Sequence, residues 1–166
     1  PRGPEAVSAI ATCVGKANHN ARPVKTPLGA PRPLQEMYRA HDLQMKLLPK
    51  TAIVAQEAEV AASVVPAESV GGDFYHLFRM PRNKTGVMIG DVSGHGYRAA
   101  LIMALAMSAA EIHAQSAKDP GEMLTTLYGS LREELSATES YIPVSVGVID
   151  HPGGKLGYHN KGPPHG

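Results

Sequence analysis

"VGGDFYHLFRMPRNKTGVMIGDVSGHG", residues 70–96, decides how this chain is read. Two apolar runs flank "PRNKTG", a cluster of turn-forming residues, so 71–79 and 86–92 are expected to pair as an antiparallel hairpin. With Arg82 at the centre of the turn, Phe78 faces Gly86 and Asp73 faces Asp91. Directly opposed side chains in such a pair have Cβ atoms about 4.5–5.5 Å apart. Two carboxylates held there repel, so one takes a proton or a cation sits between them. Magnesium or manganese, hard cations that prefer oxygen ligands, would suit the pair. A second reading stays open: Asp73 caps the turn after Gly71-Gly72, and Asp91 caps the helix entered through "SGHG".

Strand alternation places Asp73, Tyr75 and Leu77 on one face with Val87, Ile89 and Asp91. Phe74, His76, Phe78, Met88 and Val92 lie on the other. Both faces are mostly apolar, which is the pattern of a sheet covered on both sides. "SGHG" joins strand to helix with flexible glycines. The free N–H groups at the helix start near Tyr97 suit an anion such as phosphate. His95 in this turn is a candidate acid or base. Asn83-Lys84-Thr85 has the form of a glycosylation sequon and is read as hairpin turn.

Upstream, residues 1–33 are rich in proline, glycine and basic residues and read as a linker or tail, with a short helix near 5–14. From Leu34 the period changes. Leu34, Met37, Tyr38, His41, Met45 and Leu48 recur at three- and four-residue steps, which gives an amphipathic helix over 34–48. His41 on that stripe reads as a packed histidine. Two short β-rich runs follow at 52–56 and 59–64. Downstream, helices are expected over 97–117 and from Pro120 to about 137, the second capped by Asp119. Strands are expected over 142–149 and 155–159. Hairpins on either side of a helix pair predict an α+β fold, an antiparallel sheet covered by helices.

The chain of 166 residues is long enough for one domain with a real core. Its net charge of +1 gives no argument for nucleic acid or an anionic membrane surface. The longest apolar run, 99–110, is too short to span a bilayer. The single cysteine, Cys13, rules out an internal disulfide and a cysteine-rich zinc site, and it fits the cytoplasm. No phosphate-binding Walker sequence or HExxH motif occurs.

Taken in order, "QMKLLPK", "VVPAESVGGDFYHLF", "GVMIGDVSGHGYRAALIMALA" and "GKLGYHNKGPP" resemble the bacterial branch of the PPM, or protein phosphatase 2C-like, serine/threonine phosphatases. The branch is that of the sporulation stage II E and RsbU phosphatases. The resemblance covers about 34–164 and implies an αββα sandwich, with 34–166 forming roughly the N-terminal two-thirds of such a domain. It implies manganese or magnesium held by Asp73, Asp91 and the Val92 backbone carbonyl. Hydrolysis would use water activated by the cations, with no covalent nucleophile and with support from Ser93 and His95. The implied substrate is a phosphoserine or phosphothreonine on a STAS-type anti-sigma-factor antagonist. The helix over 34–48 resembles the segment through which upstream sensor domains switch these enzymes, often as homodimers.

The chain departs from the family in two places. The later "GD" and "TDG" elements, with further metal-binding aspartates, do not occur, so the C-terminal strands are expected to be missing. "NKGPPHG" stands where "NAGHPP" is common. A degenerate, non-catalytic regulatory or dimerisation module is therefore the alternative. A GGDEF-type cyclase, suggested by "GGDF", needs an acidic residue at Phe74 and leaves "GDVSGHG" unexplained.

Overall fold

The computed structural model describes residues 32–49, 62–66, 69–150 and 155–161. The elements run α1 (Arg32–Leu47), β1 (Asp73–Met80), β2 (Lys84–Asp91), α2 (Gly96–Ala114), α3 (Pro120–Ser130), α4 (Arg132–Ala137), β3 (Val144–Asp150) and β4 (Lys155–Lys161). The strands form one antiparallel sheet in the order β1-β2-β3-β4, each paired with its neighbour in sequence. This is the mixed α+β class expected. The second sheet of an αββα sandwich is not found among the described residues. The run at 52–56 lies outside them, and the part of 59–64 that falls inside, 62–64, is irregular rather than strand.

The β1–β2 turn is tighter than "PRNKTG" suggested. Only Pro81, Arg82 and Asn83 lie between the strands, with Arg82 and Asn83 at positive φ of 64° and 55°. Asparagine adopts this left-handed region with little penalty; arginine is less suited to it. The turn still centres on Arg82. Phe78 therefore faces Gly86, Phe74 faces Gly90, and Asp73 faces Asp91.

The two phenylalanines explain the two glycines. A Cβ on Gly86 would sit 2.0 Å from Cε2 of Phe78, and one on Gly90 would sit 2.5 Å from Cζ of Phe74. Each ring lies over bare backbone on the neighbouring strand, and both rings are buried. Aromatic-over-glycine pairs of this kind cover backbone that would otherwise be exposed, and they pin strand register.

Helices α2 and α3 cover the phenylalanine side of the sheet. α2 packs on β1, and α3 on β3 and β4. Met88, Met103, Met107, Met123, Leu124, Leu127 and Val146 fill the space between, so methionine and leucine do the work that tryptophan does elsewhere. The buried side of α2 includes Ala99, Ala106, Ala110 and Ala114, all with no exposed surface. Its opposite side exposes Tyr97, Leu101, Leu105 and Ile112, so the helix is apolar nearly all round, as its sequence implied. No helix among the described residues is long and apolar enough to cross a membrane.

His76 also lies on the phenylalanine side of β1. Its Nε2 is 3.0 Å from Oε2 of Glu111 on α2, and its Nδ1 is buried without a partner. Burial lowers its pKa, and Glu111 only partly offsets this.

Asp119 caps α3 as expected, accepting from the Glu122 N–H at 2.9 Å, with Pro120 in the first turn. The helix expected to run on to 137 is divided at Leu131, whose φ of −98° and ψ of 2° leave the helical region. The Leu131 N–H still donates to the Leu127 carbonyl at 3.1 Å, so the two helices remain joined by a helical hydrogen bond. α2 ends at Ala114 rather than 117, and β4 runs two residues beyond its expected end.

The packing of Phe78 on Gly86 gives a direct test. Gly86→Val should destabilise the fold by about 1–3 kcal/mol or more, because a side chain is forced into the ring. Gly129, in α3, has open space where a Cβ would be added. Gly129→Ala should stabilise by roughly 0.5–1 kcal/mol. Urea denaturation of the two variants measures both, and equal effects would disprove the ring-over-glycine account.

Candidate functional site

The segment leading into Asp73 is braced by α1. Gln44 is the one fully buried residue of that helix. Its Nε2 donates to the Gly71 carbonyl at 2.6 Å, and its Oε1 accepts from the Gly71 N–H at 3.0 Å. One side chain thus satisfies both backbone groups of Gly71, as a neighbouring strand would. His41, one turn earlier, has its Nδ1 2.6 Å from the Ser69 carbonyl. Gln44 also reaches Sδ of Met103 on α2, so the brace ties α1, α2 and the entry to β1 together.

Gly72 follows. Its carbonyl lies against the exit from β2, where it accepts from the Val92 N–H at 3.2 Å. A Cβ on Gly72 would come within 2.5 Å of the Val92 carbonyl oxygen, so any side chain would push the two segments apart. Past Val92, Gly94 and Gly96 take positive φ of 93° and 71°, a conformation that glycine adopts without strain. Ser93 fastens this turn from the other side. Its N–H donates to the Tyr141 carbonyl and its Oγ accepts from the Tyr141 N–H, both at 2.9 Å. α2 then starts at Gly96, with His95 at its N-cap.

These constraints converge on a cavity of about 150 Å³ lined by Val64, Val70, Gly71, Gly72, Asp73, Asp91, Gly94 and His95, among others. Both aspartates and His95 of the sequence-derived set share it. Val92 is buried beside it, and Ser93 holds the turn behind it. Burial raises the Asp91 pKa, and the neighbouring Asp73 raises it further by charge and by hydrogen bonding. A hydrogen bond between two carboxyl groups needs a proton on one of them. A divalent cation could replace that proton, and two carboxylates with a nearby backbone carbonyl are the oxygen donors that manganese and magnesium prefer. No group of three or more histidine, cysteine, aspartate or glutamate side chains that could hold a metal occurs among the described residues. The N-terminus of α2 beside the cavity adds free N–H groups that favour an anion.

A family model described as Stage II sporulation protein E (SpoIIE) matches residues 81–166, more than half of the chain. The chain belongs to the SpoIIE family. The match takes in Asp91, Val92, Ser93 and His95, and Asp73 lies on the strand just before it. Among solved structures, the SiaA-PP2C domain of Pseudomonas aeruginosa is similar at a TM-score of 0.65 and 26% identity, over 76% of this chain and 52% of that one. The RsbU and RsbW domains of a Mycobacterium tuberculosis protein share the fold at a TM-score of 0.50 and 21% identity, over 59% of this chain and 27% of that one. Protein IcfG of Synechocystis sp. is 34% identical over 70 residues, 42% of this chain. The chain thus spans about half of the SiaA-PP2C chain and 11% of IcfG. SpoIIE and its PPM relatives are generally serine/threonine phosphatases, and the family typically uses manganese or magnesium.

Gln44 is the member of this SpoIIE site that sequence reading misses. A search for an apolar stripe on α1 passes over a glutamine, although Gln44 sits between His41 and Leu48 on the same face. The usable signal was a polar residue at a core-facing position. Gln44→Leu keeps the volume but leaves the Gly71 groups unpaired, and it should cost about 1–3 kcal/mol in urea denaturation. An unchanged midpoint would mean that the brace adds nothing.

The aspartate pair gives a second test. Because its proton is held above the usual carboxylate range, Asp91 favours the folded state at acid pH and loses that advantage as pH rises through its folded value. In metal-free protein at neutral pH, Asp91→Asn should therefore raise the Tm, by roughly 2–4 °C for each kcal/mol of repulsion relieved. The same variant should lose any rise in Tm that manganese gives the unaltered protein. A lower Tm without metal would contradict the picture of two opposed charges.

Proposed function

We propose that this domain is a metal-dependent protein serine/threonine phosphatase acting on a phosphorylated STAS-type anti-sigma-factor antagonist. The observation that carries the proposal is the pairing of Asp73 with Asp91 across a hairpin whose second strand lies inside the SpoIIE match. Asp73, Asp91 and the Val92 carbonyl would hold manganese or magnesium. When bound, such a cation neutralises phosphoryl oxygens and makes water a nucleophile near neutral pH. The chain's own contributions are positional. Gly72 lets the two aspartate-bearing segments close up, Gly94 and Gly96 turn the chain into α2, and the start of α2 faces the substrate's anion. His95 lines the cavity and is the candidate proton carrier, and Ser93 keeps the turn in place. Upstream sensor domains would act through α1, and α1 would also serve a homodimer. The setting is the cytoplasm, where Cys13 stays reduced.

A second reading is favoured by one observation: only two carboxylates converge among the described residues. Divalent sites gain affinity with each charged ligand, so cation binding could be too weak for turnover. The domain would then be a phosphatase-like regulatory or dimerisation module.

Hydrolysis of a phosphoserine peptide by the chain, with and without manganese, separates the two. The phosphatase reading expects manganese-stimulated release of phosphate that drops at least about a hundredfold in Asp91→Asn, the scale on which loss of a group stabilising the transition state is felt. Activity that is unchanged in that variant would falsify the assigned mechanism. No activity, with no manganese binding by calorimetry, would favour the module.

A further inference from the structure

The β1–β2 hairpin carries opposite charge at its two ends. The end with Asp73 and Asp91 is described above. The turn end lies about 23 Å away, seven strand residues at roughly 3.3 Å each. There a second cavity, of about 200 Å³, is lined by Pro81, Arg82, Lys84, Ser116, Ala117 and Lys118. Three of these six residues are cationic and none is acidic. Among the described residues, none of the three cationic side chains makes a hydrogen bond or ion pair.

The nearby acids lie outside the cavity lining. Asp119 accepts from the Glu122 N–H at 2.9 Å. Glu122 accepts from the backbone N–H of Lys118 at 2.9 Å. Asp150 is the register partner of Lys84 across β2 and β3, but the two form no ion pair. Like charges around one cavity repel, and an anion between them would remove that repulsion. The arrangement is fixed by the fold. Arg82 is held in the tight turn, Lys84 opens β2 on the side facing the helices, and Ser116 to Lys118 link α2 to the capped start of α3.

We propose that this cavity is a second anion site, separate from the aspartate cavity, that takes a phosphate-class oxyanion. A phosphate group brings a charge of about −1.5 to −2 and three acceptor oxygens, one for each cation. The Ser116 hydroxyl, which leans on the His113 carbonyl at 3.4 Å, is close enough to the cavity to contribute. The same chemistry could reach the site as free inorganic phosphate or as a phosphorylated side chain on another polypeptide.

The test uses the whole chain in metal-free buffer, with ionic strength held constant by chloride. Backbone amide shifts of Arg82, Lys84 and Ala117 are followed by NMR while inorganic phosphate, a phosphoserine peptide or its unphosphorylated form is added. Saturable shifts with phosphate are expected, together with an affinity about tenfold weaker in the Lys84→Gln, Lys118→Gln double variant, given what a charge-assisted bond at a partly exposed site contributes. Asp91→Asn should leave these shifts as they are, which keeps the outcome independent of the phosphatase reading. Saturation with the phosphoserine peptide but not with inorganic phosphate would assign the site to a phosphorylated chain, and saturation with phosphate alone would assign it to the free ion. A linear response to every additive, or an affinity unchanged in a double variant that retains its melting temperature, would overturn the proposal.

Discussion

Two aromatic rings laid over two bare glycines set the geometry of this domain. Phe78 on Gly86 and Phe74 on Gly90 admit only one register between β1 and β2. A slip of one residue would turn the rings to the other face of the sheet and push side chains into the glycine positions. Because the register is held, Asp73 and Asp91 end up opposite one another although nothing in their own chemistry favours that. Their repulsion is tolerated because burial of the core rings outweighs it: a fully buried phenylalanine contributes roughly 1.5–3 kcal/mol.

The remainder of the site is built outward from that hairpin by short-range contacts. Gly72 brings the entry to β1 against the exit from β2. Gln44 supplies to Gly71 the pair of hydrogen bonds that a further strand would give. Ser93 and Tyr141 exchange two bonds that hold the turn into α2. Each of these contacts is backbone-directed, so the site is a matter of where the main chain runs more than of which side chains surround it. That fits a family in which the protein's part is to place oxygen atoms.

Much of this was legible in the sequence, for identifiable reasons. Hairpin register follows from the symmetry of a turn, so centring on Arg82 gave the right partners even though the turn proved shorter than its polar residues suggested. The Asp119 cap followed from Asp-Pro chemistry. Other features were hidden. Gln44 is polar, and periodicity arguments count only apolar residues, so its burial against Gly71 is passed over unless a polar residue on the core-facing stripe is itself taken as the signal. The break at Leu131 is a one-residue departure from helical φ and ψ, which a stripe of leucines does not reveal. The cavity between Arg82, Lys84 and Lys118 brings together residues more than thirty positions apart, and only the packing of α2 along β1 makes them neighbours. Of the two sheets that the family resemblance implied, the described residues form one, with four strands.

The alanines of α2 have a consequence for tolerance. With Ala99, Ala106, Ala110 and Ala114 all fully buried beside Ile102, Met103 and Met107, the helix meets the core through methyl groups at intervals along its length. A substitution there has nowhere to go but outward, and it lifts the helix as a rigid rod. Its first turn then moves away from the aspartates while its last turn moves away from the lysines. These alanines act as shims, setting the clearance at both charged ends of the hairpin from positions that touch neither.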